Sequence, residues 1–374
     1  MISFLIACLY LSLLLFKKLS ARAYRKIFTL PDRSVSLQNV GIFQPILSGD
    51  ASLSSTLERN LLALNDATFY WLVDDDDPLA HKTVDALIQR HQDKRIVKLS
   101  YPAAPEGINP KLFKLDQVLS LCKQDYCVVL DDDTTLPKQS LQVVLAELTH
   151  YELVTGLPQY REQGNFYSHL LAAFVNNNAS STYLSLLPYM EPITINGMCY
   201  GFKREQLQKI GGFQPILSCL TDDLAMAEHV LSHGGKIRQL PFTQVIETSI
   251  ADAKHYIYQM HRWYVFANIL FFKQKNKIQV IIFALYGLTP LLLLSILLLF
   301  LFNMTVPSFF ILIMTLVLRQ YMLAGGIKKL SGAMISILSE GLQTLHLLHS
   351  LSSKKIRWRN RYYCVDSNSK FTNL

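Results

Sequence analysis

Tyr126-Cys127-Val128-Val129-Leu130-Asp131-Asp132-Asp133-Thr134 is the stretch on which the fold turns. Its apolar half is too short for a helix and carries two β-branched residues, so it reads as a buried strand. The strand stops abruptly in carboxylates. The same pattern occurs upstream, where the strand-like run Phe69–Val73 meets Asp74-Asp75-Asp76-Asp77-Pro78. Further short apolar runs, Arg95–Leu99 and Leu153–Thr155, alternate with helix-length segments at 138–149, 166–187 and 222–234. That alternation predicts an α/β fold built of β-α units around a mostly parallel sheet, spanning about 37–252. In open sheets of this kind ligands gather at the carboxyl ends of the strands, where both acidic runs fall.

A third acidic site, Asp222-Asp223, follows Thr221 and opens a helix. Thr221 there reads as an N-cap, and the two carboxylates as favourable partners of the helix dipole. Taken alone, each acidic run is a solvated turn or a cap. Three in one domain, two of them at strand ends, point to binding. Four adjacent carboxylates repel one another, and a divalent cation or a sugar-nucleotide would relieve that repulsion. In an Asp-x-Asp, residues i and i+2 can point the same way, so Asp131 and Asp133 are candidates to share one hard cation. Mg²⁺ or Mn²⁺ takes oxygen ligands and completes its shell with phosphate and water. No P-loop, G-x-G-x-x-G or G-x-S-x-G is present, which removes ATPase, dinucleotide-binding and α/β-hydrolase readings.

The rest of the chain is patterned for a membrane. Of 374 residues, 50% are hydrophobic and only 17% charged, with a net charge of +8. Residues 1–16 carry no charge and are followed by Lys17, Lys18, Arg22, Arg25 and Lys26. Positive charge after the apolar run, not before it, argues for an anchor (1–18) with its C-terminal side in the cytosol. Residues 278–302 and 306–324 predict a transmembrane hairpin (278–324), with Arg319 near enough to one end to snorkel. Lys328 and Lys329 return the chain to the cytosol. Residues 331–351, with Glu340, His346 and His349, read as an interfacial or third C-terminal membrane helix. The basic tail, 352–374, holds Lys354, Lys355, Arg357, Arg359 and Arg361. The basic residues flank spans and form no patch, which gives no role in nucleic-acid binding. Six cysteines without a C-x-x-C pair suggest free thiols instead of a zinc site or disulfide framework. Ahead of the hairpin, 253–274 is rich in aromatics and predicts an interfacial amphipathic helix. In it Gln259, Arg262 and Trp263 share one face.

Asp-Asp-Pro after a strand, Asp-x-Asp, Asp-Asp opening a helix and Gln-x-x-Arg-Trp stand in the order found in lipid-linked, inverting, metal-dependent glycosyltransferases. The finer resemblance is to the ceramide glucosyltransferase family. It is carried by Gly107-Ile108-Asn109-Pro110-Lys111, Thr155-Gly156-Leu157-Pro158, Asn196-Gly197-Met198, Gly211-Gly212 and Ile356-Arg357-Trp358-Arg359. The resemblance covers about 40–363. It implies a GT-A, Rossmann-like catalytic domain on the cytosolic face, transferring a sugar from a UDP-sugar donor to a membrane lipid acceptor. By the same resemblance Asp77 binds the uridine end, Lys111 sits near the nucleotide and its phosphates, and Asp131 and Asp133 hold Mn²⁺ or Mg²⁺. Asp223 is the general base, while Gln259, Arg262 and Trp263 close the site at the membrane.

Two positions depart from the family. Phe174–Leu187 lacks a histidine often found before its Thr-Gly-Met element, and Asp131-Asp132-Asp133 replaces the vertebrate Asp-Ser-Gly. The readings that remain open are glucose transfer to ceramide and transfer of N-acetylglucosamine or galactose to a hopanoid, sterol, diacylglycerol or polyprenyl lipid. A membrane-anchored nucleotide-sugar-binding protein without activity is a third. Oligomeric state is not encoded in any of these features.

Overall fold

The structure, a computed structural model, describes residues 1–29, 35–324, 329–358, 361–367 and 369–373. Lys328 and Arg359 of the expected basic flanks lie outside these described residues. The chain divides into two compact units. One comprises 28–161, 191–249 and 368–374, the other 1–27, 162–190 and 250–367.

The first unit is an α/β fold. Its sheet is formed by β1 (Val40–Ile46), β2 (Thr68–Asp74), β3 (Ile96–Tyr101), β4 (Tyr126–Leu130), β5 (Thr134–Thr135), β6 (Leu153–Tyr160), β7 (Cys199–Lys203) and β8 (Ile237–Ile246). The spatial order is β3-β2-β1-β4-β7-β6-β8-β5. β3, β2, β1 and β4 run parallel, β7 lies antiparallel between β4 and β6, and β8 is parallel to β6. The period-two alternation of strands sorts side chains to two faces. Phe69, Trp71, Val73, Val128 and Leu130 enter one core with Leu57, Val84 and Val144 from the helices Leu53–Ala63, Pro78–Arg90 and Lys138–Glu147. Tyr70, Leu72, Cys127 and Val129 enter the other, with Leu112 and Leu115 of Pro110–Leu121 and Met226 of Asp222–Ser232. Burial on both faces explains why β2 and β4 read as unbroken apolar runs.

The second unit is helical. Three helices, Ile2–Ile27, Asn276–Asn303 and Val306–Leu323, are long and apolar enough to cross a membrane. Met304, in the left-handed region at φ 33°, turns the chain between the last two. The helix Leu330–Ser352 turns its polar residues inward. Ser336, Ser339, Glu340, Gln343 and His346 are buried, while Met334, Leu338, Leu345, Leu348 and Leu351 are exposed. The segment 162–190, read from sequence within the sheet domain, groups with these helices instead. Its helix Phe166–Leu184 meets the inward polar face: Asn177 Nδ2 donates to Ser336 Oγ at 2.7 Å, and Ser339 Oγ donates to the Leu170 carbonyl at 3.2 Å.

Arg319 does not snorkel. It is fully buried, donating from Nε to Glu340 Oε2 at 2.7 Å and from Nη2 to the Ser336 carbonyl at 2.9 Å. Tyr10 donates its hydroxyl to the other oxygen of Glu340 at 2.9 Å. A span that can pair its arginine inside the bundle has no need to stretch it to the water.

Candidate active site

The acidic residues at the strand ends have separate tasks. In the first run, Asp74 Oδ1 pairs with Lys114 Nζ at 2.8 Å. Asp77 is buried and caps the helix Pro78–Arg90: Oδ1 accepts the Ala80 N–H at 3.0 Å. Its Oδ2 accepts the Ser48 N–H at 2.7 Å, tying the end of β2 to the end of β1. The repulsion expected among four carboxylates is therefore partly relieved by the fold itself. Asp75 and Asp76 remain exposed.

The second run lies on a turn, since β4 ends at Leu130 and the Thr134 N–H closes back on the Asp131 carbonyl at 3.1 Å. Asp132 is buried and accepts the Leu47 N–H at 2.8 Å. Asp133 is oriented by hydroxyls on both sides, Thr134 Oγ1 at 3.0 Å on Oδ1 and the Thr248 hydroxyl on Oδ2. Asp131 Oδ1 meets Lys111 Nζ at 2.8 Å. Burial raises the Asp131 carboxyl above its ordinary range. Lys111 opposes this, while the charges of Asp133 and Asp222 add to it.

Lys111 reaches this place because of the residues just before it. Gly107 takes φ 73°, Asn109 Oδ1 caps the next helix by accepting the Lys111 and Leu112 N–H groups at 2.9 and 3.3 Å, and Pro110 opens it. A proline in the first turn removes a donor that the helix would not use. The ammonium of Lys111 then lies 2.8 Å from Asp131, 2.9 Å from Asp222 Oδ2 and 3.0 Å from the Gly197 carbonyl. Burial works against its charge, but the two carboxylates outweigh it and hold the ammonium well above its ordinary range.

Asp222 and Asp223 open the helix Asp222–Ser232. Burial, reinforced by the neighbouring charge of Asp222, pushes the Asp223 carboxyl up to about 7. Asn196-Gly197-Met198 packs against it. Asn196 Oδ1 accepts the Met198 N–H at 3.0 Å and a Gln244 amide hydrogen at 3.2 Å, and Thr155 Oγ1 donates to the Cys199 carbonyl at 2.9 Å. In Thr155-Gly156, a Cβ on Gly156 would lie 2.3 Å from Gln244 Oε1 and 3.2 Å from the Phe242 carbonyl oxygen, so a larger residue would have to displace the Gln244 amide.

Thr221 departs from its expected role. It stands at the N-cap but makes no side-chain cap bond; its hydroxyl is engaged by Ser369, 148 residues on. Of the residues singled out from sequence, Lys111 and Asp131 are joined directly, and Asp222 joins Lys111 to the helix start that carries Asp223. Sequence reasoning missed Asp222 as a partner of Lys111, and Thr248 and Ser369 altogether. Of these, only Asp222 carried a local signal, its place beside Asp223.

In the second unit, Gln259, Arg262 and Trp263 share the helix Ala253–Lys273. Arg262 Nη2 donates to Gln259 Oε1 at 3.0 Å, and the Trp263 ring stacks on Phe174 with centroids 6.0 Å apart. Among the described residues no group of three or more His, Cys, Asp or Glu side chains is set to hold a metal. Two carboxylates, Asp131 and Asp133, still suit a hard cation whose shell is completed by phosphate and water. Such a cation would relieve the repulsion from Asp133 and Asp222 that adds to the effect of burial on Asp131.

The sequence profile of glycosyl transferase family 21, the ceramide glucosyltransferase family, matches residues 1–371. The chain belongs to that family. No curated protein matches it in sequence. Its fold is similar to that of a mannosyltransferase from Pyrobaculum calidifontis solved with GDP-Man and Mn²⁺, with a TM-score of 0.56 at 13% identity. That match covers 94% of this chain and 98% of the other. Glucosyl-3-phosphoglycerate synthase from Mycobacterium tuberculosis, solved with Mg²⁺ and UDP, matches over 56% of this chain and 72% of its own, at 17% identity and a TM-score of 0.35. This family 21 chain is thus a glycosyltransferase with the α/β fold of GT-A enzymes.

Proposed function

We propose that this family 21 chain is a membrane-bound inverting glycosyltransferase that moves a sugar, glucose in the first instance, from a UDP-sugar to a lipid hydroxyl. The observation that carries the reading is the carboxylate–ammonium cluster of Asp131, Lys111 and Asp222, with Asp223 on the same helix start. An inverting transfer needs one carboxylate to take the proton of the acceptor hydroxyl as its oxygen attacks the anomeric carbon. Asp223, raised to about 7, has a base strength matched to neutral pH. The bond to the diphosphate breaks as the new glycosidic bond forms, and UDP departs with the bonding pair. Asp131 and Asp133 would hold Mn²⁺ or Mg²⁺, which supplies positive charge against the departing diphosphate. Lys111 adds its own charge beside them. Asp77 serves the uridine end through its place between β1 and β2. Gln259, Arg262 and Trp263 serve the membrane side, where the lipid presents its head group.

The basic residues that flank the anchor and the hairpin support a catalytic domain on the cytosolic face, by the positive-inside rule. Incubation of the purified protein with Mn²⁺, a panel of UDP-sugars and a total lipid extract tests the reading. Mass spectrometry should show one lipid class gaining a hexose mass, dependent on a single donor. Gain of an N-acetylhexosamine mass, or labelling of a sterol, hopanoid or polyprenyl lipid, would reassign the substrates within the same chemistry. Neither transfer nor donor hydrolysis with any sugar would leave a binding protein.

A further inference from the structure

The loop 217–221, which delivers the chain into Asp222 and Asp223, is held from two sides. On one side, Asn109, the cap two residues before Lys111, donates from Nδ2 to the carbonyls of Cys219 and Leu220 at 3.0 and 3.3 Å. Its N–H also donates to the Leu217 carbonyl at 2.8 Å. On the other side stands Ser369, from the C-terminal segment. Its carbonyl accepts the Leu220 N–H at 2.8 Å and its Oγ accepts the Thr221 N–H at 2.9 Å. The two hydroxyls of Thr221 and Ser369 are hydrogen-bonded as well, and Lys370 continues the contact as an antiparallel bridge to Cys219. Ser369 and Leu220 are fully buried, and Thr221 nearly so. Ser369 adopts φ 66°, a left-handed conformation that serine takes only where its surroundings hold it.

Asn109 thus takes the carbonyls of this loop and Ser369 its amides, which satisfies the backbone polar groups of Leu220 without water. We propose that Ser369 is a positioning residue for Asp223, and that the C-terminal segment latches the loop that sets the direction of that carboxylate. This rests on the reading of Asp223 as the base. Neither Thr221 nor Ser369 touches substrate in this scheme. They fix the first turn of the helix, and a carboxylate at the second position of a helix moves with its first turn.

The test uses full-length protein in detergent micelles or nanodiscs, with Ser369→Gly as the main variant. Glycine adopts φ 66° without strain, so the substitution removes the hydroxyl and little else. Three readouts are taken: amide hydrogen exchange over 218–224, affinity for UDP with Mn²⁺, and kcat for transfer. The expected result is faster exchange at Leu220–Asp222, unchanged UDP affinity and a fall in kcat of at least about tenfold, the kinetic equivalent of one of the two buried hydrogen bonds lost. Thr221→Val should act through the same bond, so the double variant should be no more than about twofold worse than the worse single. Should Ser369→Gly fail to fold, Thr221→Val alone carries the same three readouts.

Unchanged exchange would overturn the latch. Faster exchange with unchanged kcat would overturn the positioning role. A parallel fall in UDP affinity and kcat would also overturn it, because a general loosening of the unit moves both. Asp223→Asn is run alongside. Near-normal turnover in that variant would remove the base assignment itself, whatever the exchange data show.

Discussion

A Cβ added to Gly197 would lie 3.0 Å from the Cβ of Asp223. The backbone of Asn196-Gly197-Met198 is thus the wall against which the proposed base rests, and a methyl group there would crowd the Asp223 side chain. The same Gly197 offers its carbonyl to Lys111 at 3.0 Å, so the wall serves both charged residues.

Gly197→Ala is therefore expected to displace Asp223 by a few tenths of an ångström while leaving the sheet intact. Loss of kcat by about tenfold or more, with UDP affinity nearly unchanged, is the expected outcome, since misplacement of a reacting group costs rate more than binding. Steady-state kinetics beside a UDP titration would separate the two. Equal loss in both would show that Gly197 merely supports the fold.

The pH profile should report Asp223. Its carboxyl is pushed to about 7 by burial and by the charge of Asp222. A base must be ionised to accept a proton, so transfer should rise with pH through about 7 and fall away below it. Asp222→Asn removes the neighbouring charge that raises Asp223 and leaves Lys111, whose charge lowers it, with one counter-charge fewer. Both changes move the acid limb to lower pH. A limb that stays in place would detach it from Asp223.

Asp131→Ala or Asp133→Ala should abolish metal-dependent transfer, and chelator should do the same to the unaltered enzyme. Thr248→Val leaves the proposed metal-binding carboxylates in place but removes a hydroxyl from Asp133. The Mn²⁺ concentration for half-maximal activity should then rise about tenfold, the usual scale for a group that orients a ligand. Serine at the same position should recover most of the loss. Activity indifferent to chelator would contradict the metal proposal.

Glu340→Gln leaves Arg319 buried without its counter-charge. A loss of about 3–5 kcal/mol is expected, read as thermal unfolding in detergent. Combining it with Arg319→Met should restore much of that stability, because an apolar pair of similar volume does without both charges. A double variant less stable than Glu340→Gln would show that Arg319 contributes through its bonds to Ser336 instead.

What was legible in the sequence was local. β2 and β4 could be placed because strands buried on both faces are apolar at every position, and the carboxylates that end them are conspicuous. β7 and β8 escaped notice, because β8 carries Gln239 and Gln244, polar residues buried only because partners from distant segments satisfy them. The site divides in the same way. Asp131, Asp133 and Asp223 stand in recognisable company, and Asn109 announces itself as a cap before a proline. Thr221 misled, since its position fits a cap and its true partner lies 148 residues away. Arg319 misled for the same reason. Hydropathy locates a span, but only the packing of Leu330–Ser352 supplies the carboxylate that lets the arginine turn inward.

The Arg319–Glu340 pair also bears on how the chain is made. Arg319 leaves the ribosome 21 residues ahead of Glu340, the carboxylate that neutralises it. Until Glu340 follows, the segment 306–324 carries an uncompensated cation that hydrocarbon rejects. Release into lipid one helix at a time would strand it there. The pairing thus favours entry of 306–324 and 330–352 into lipid as a group over entry one helix at a time.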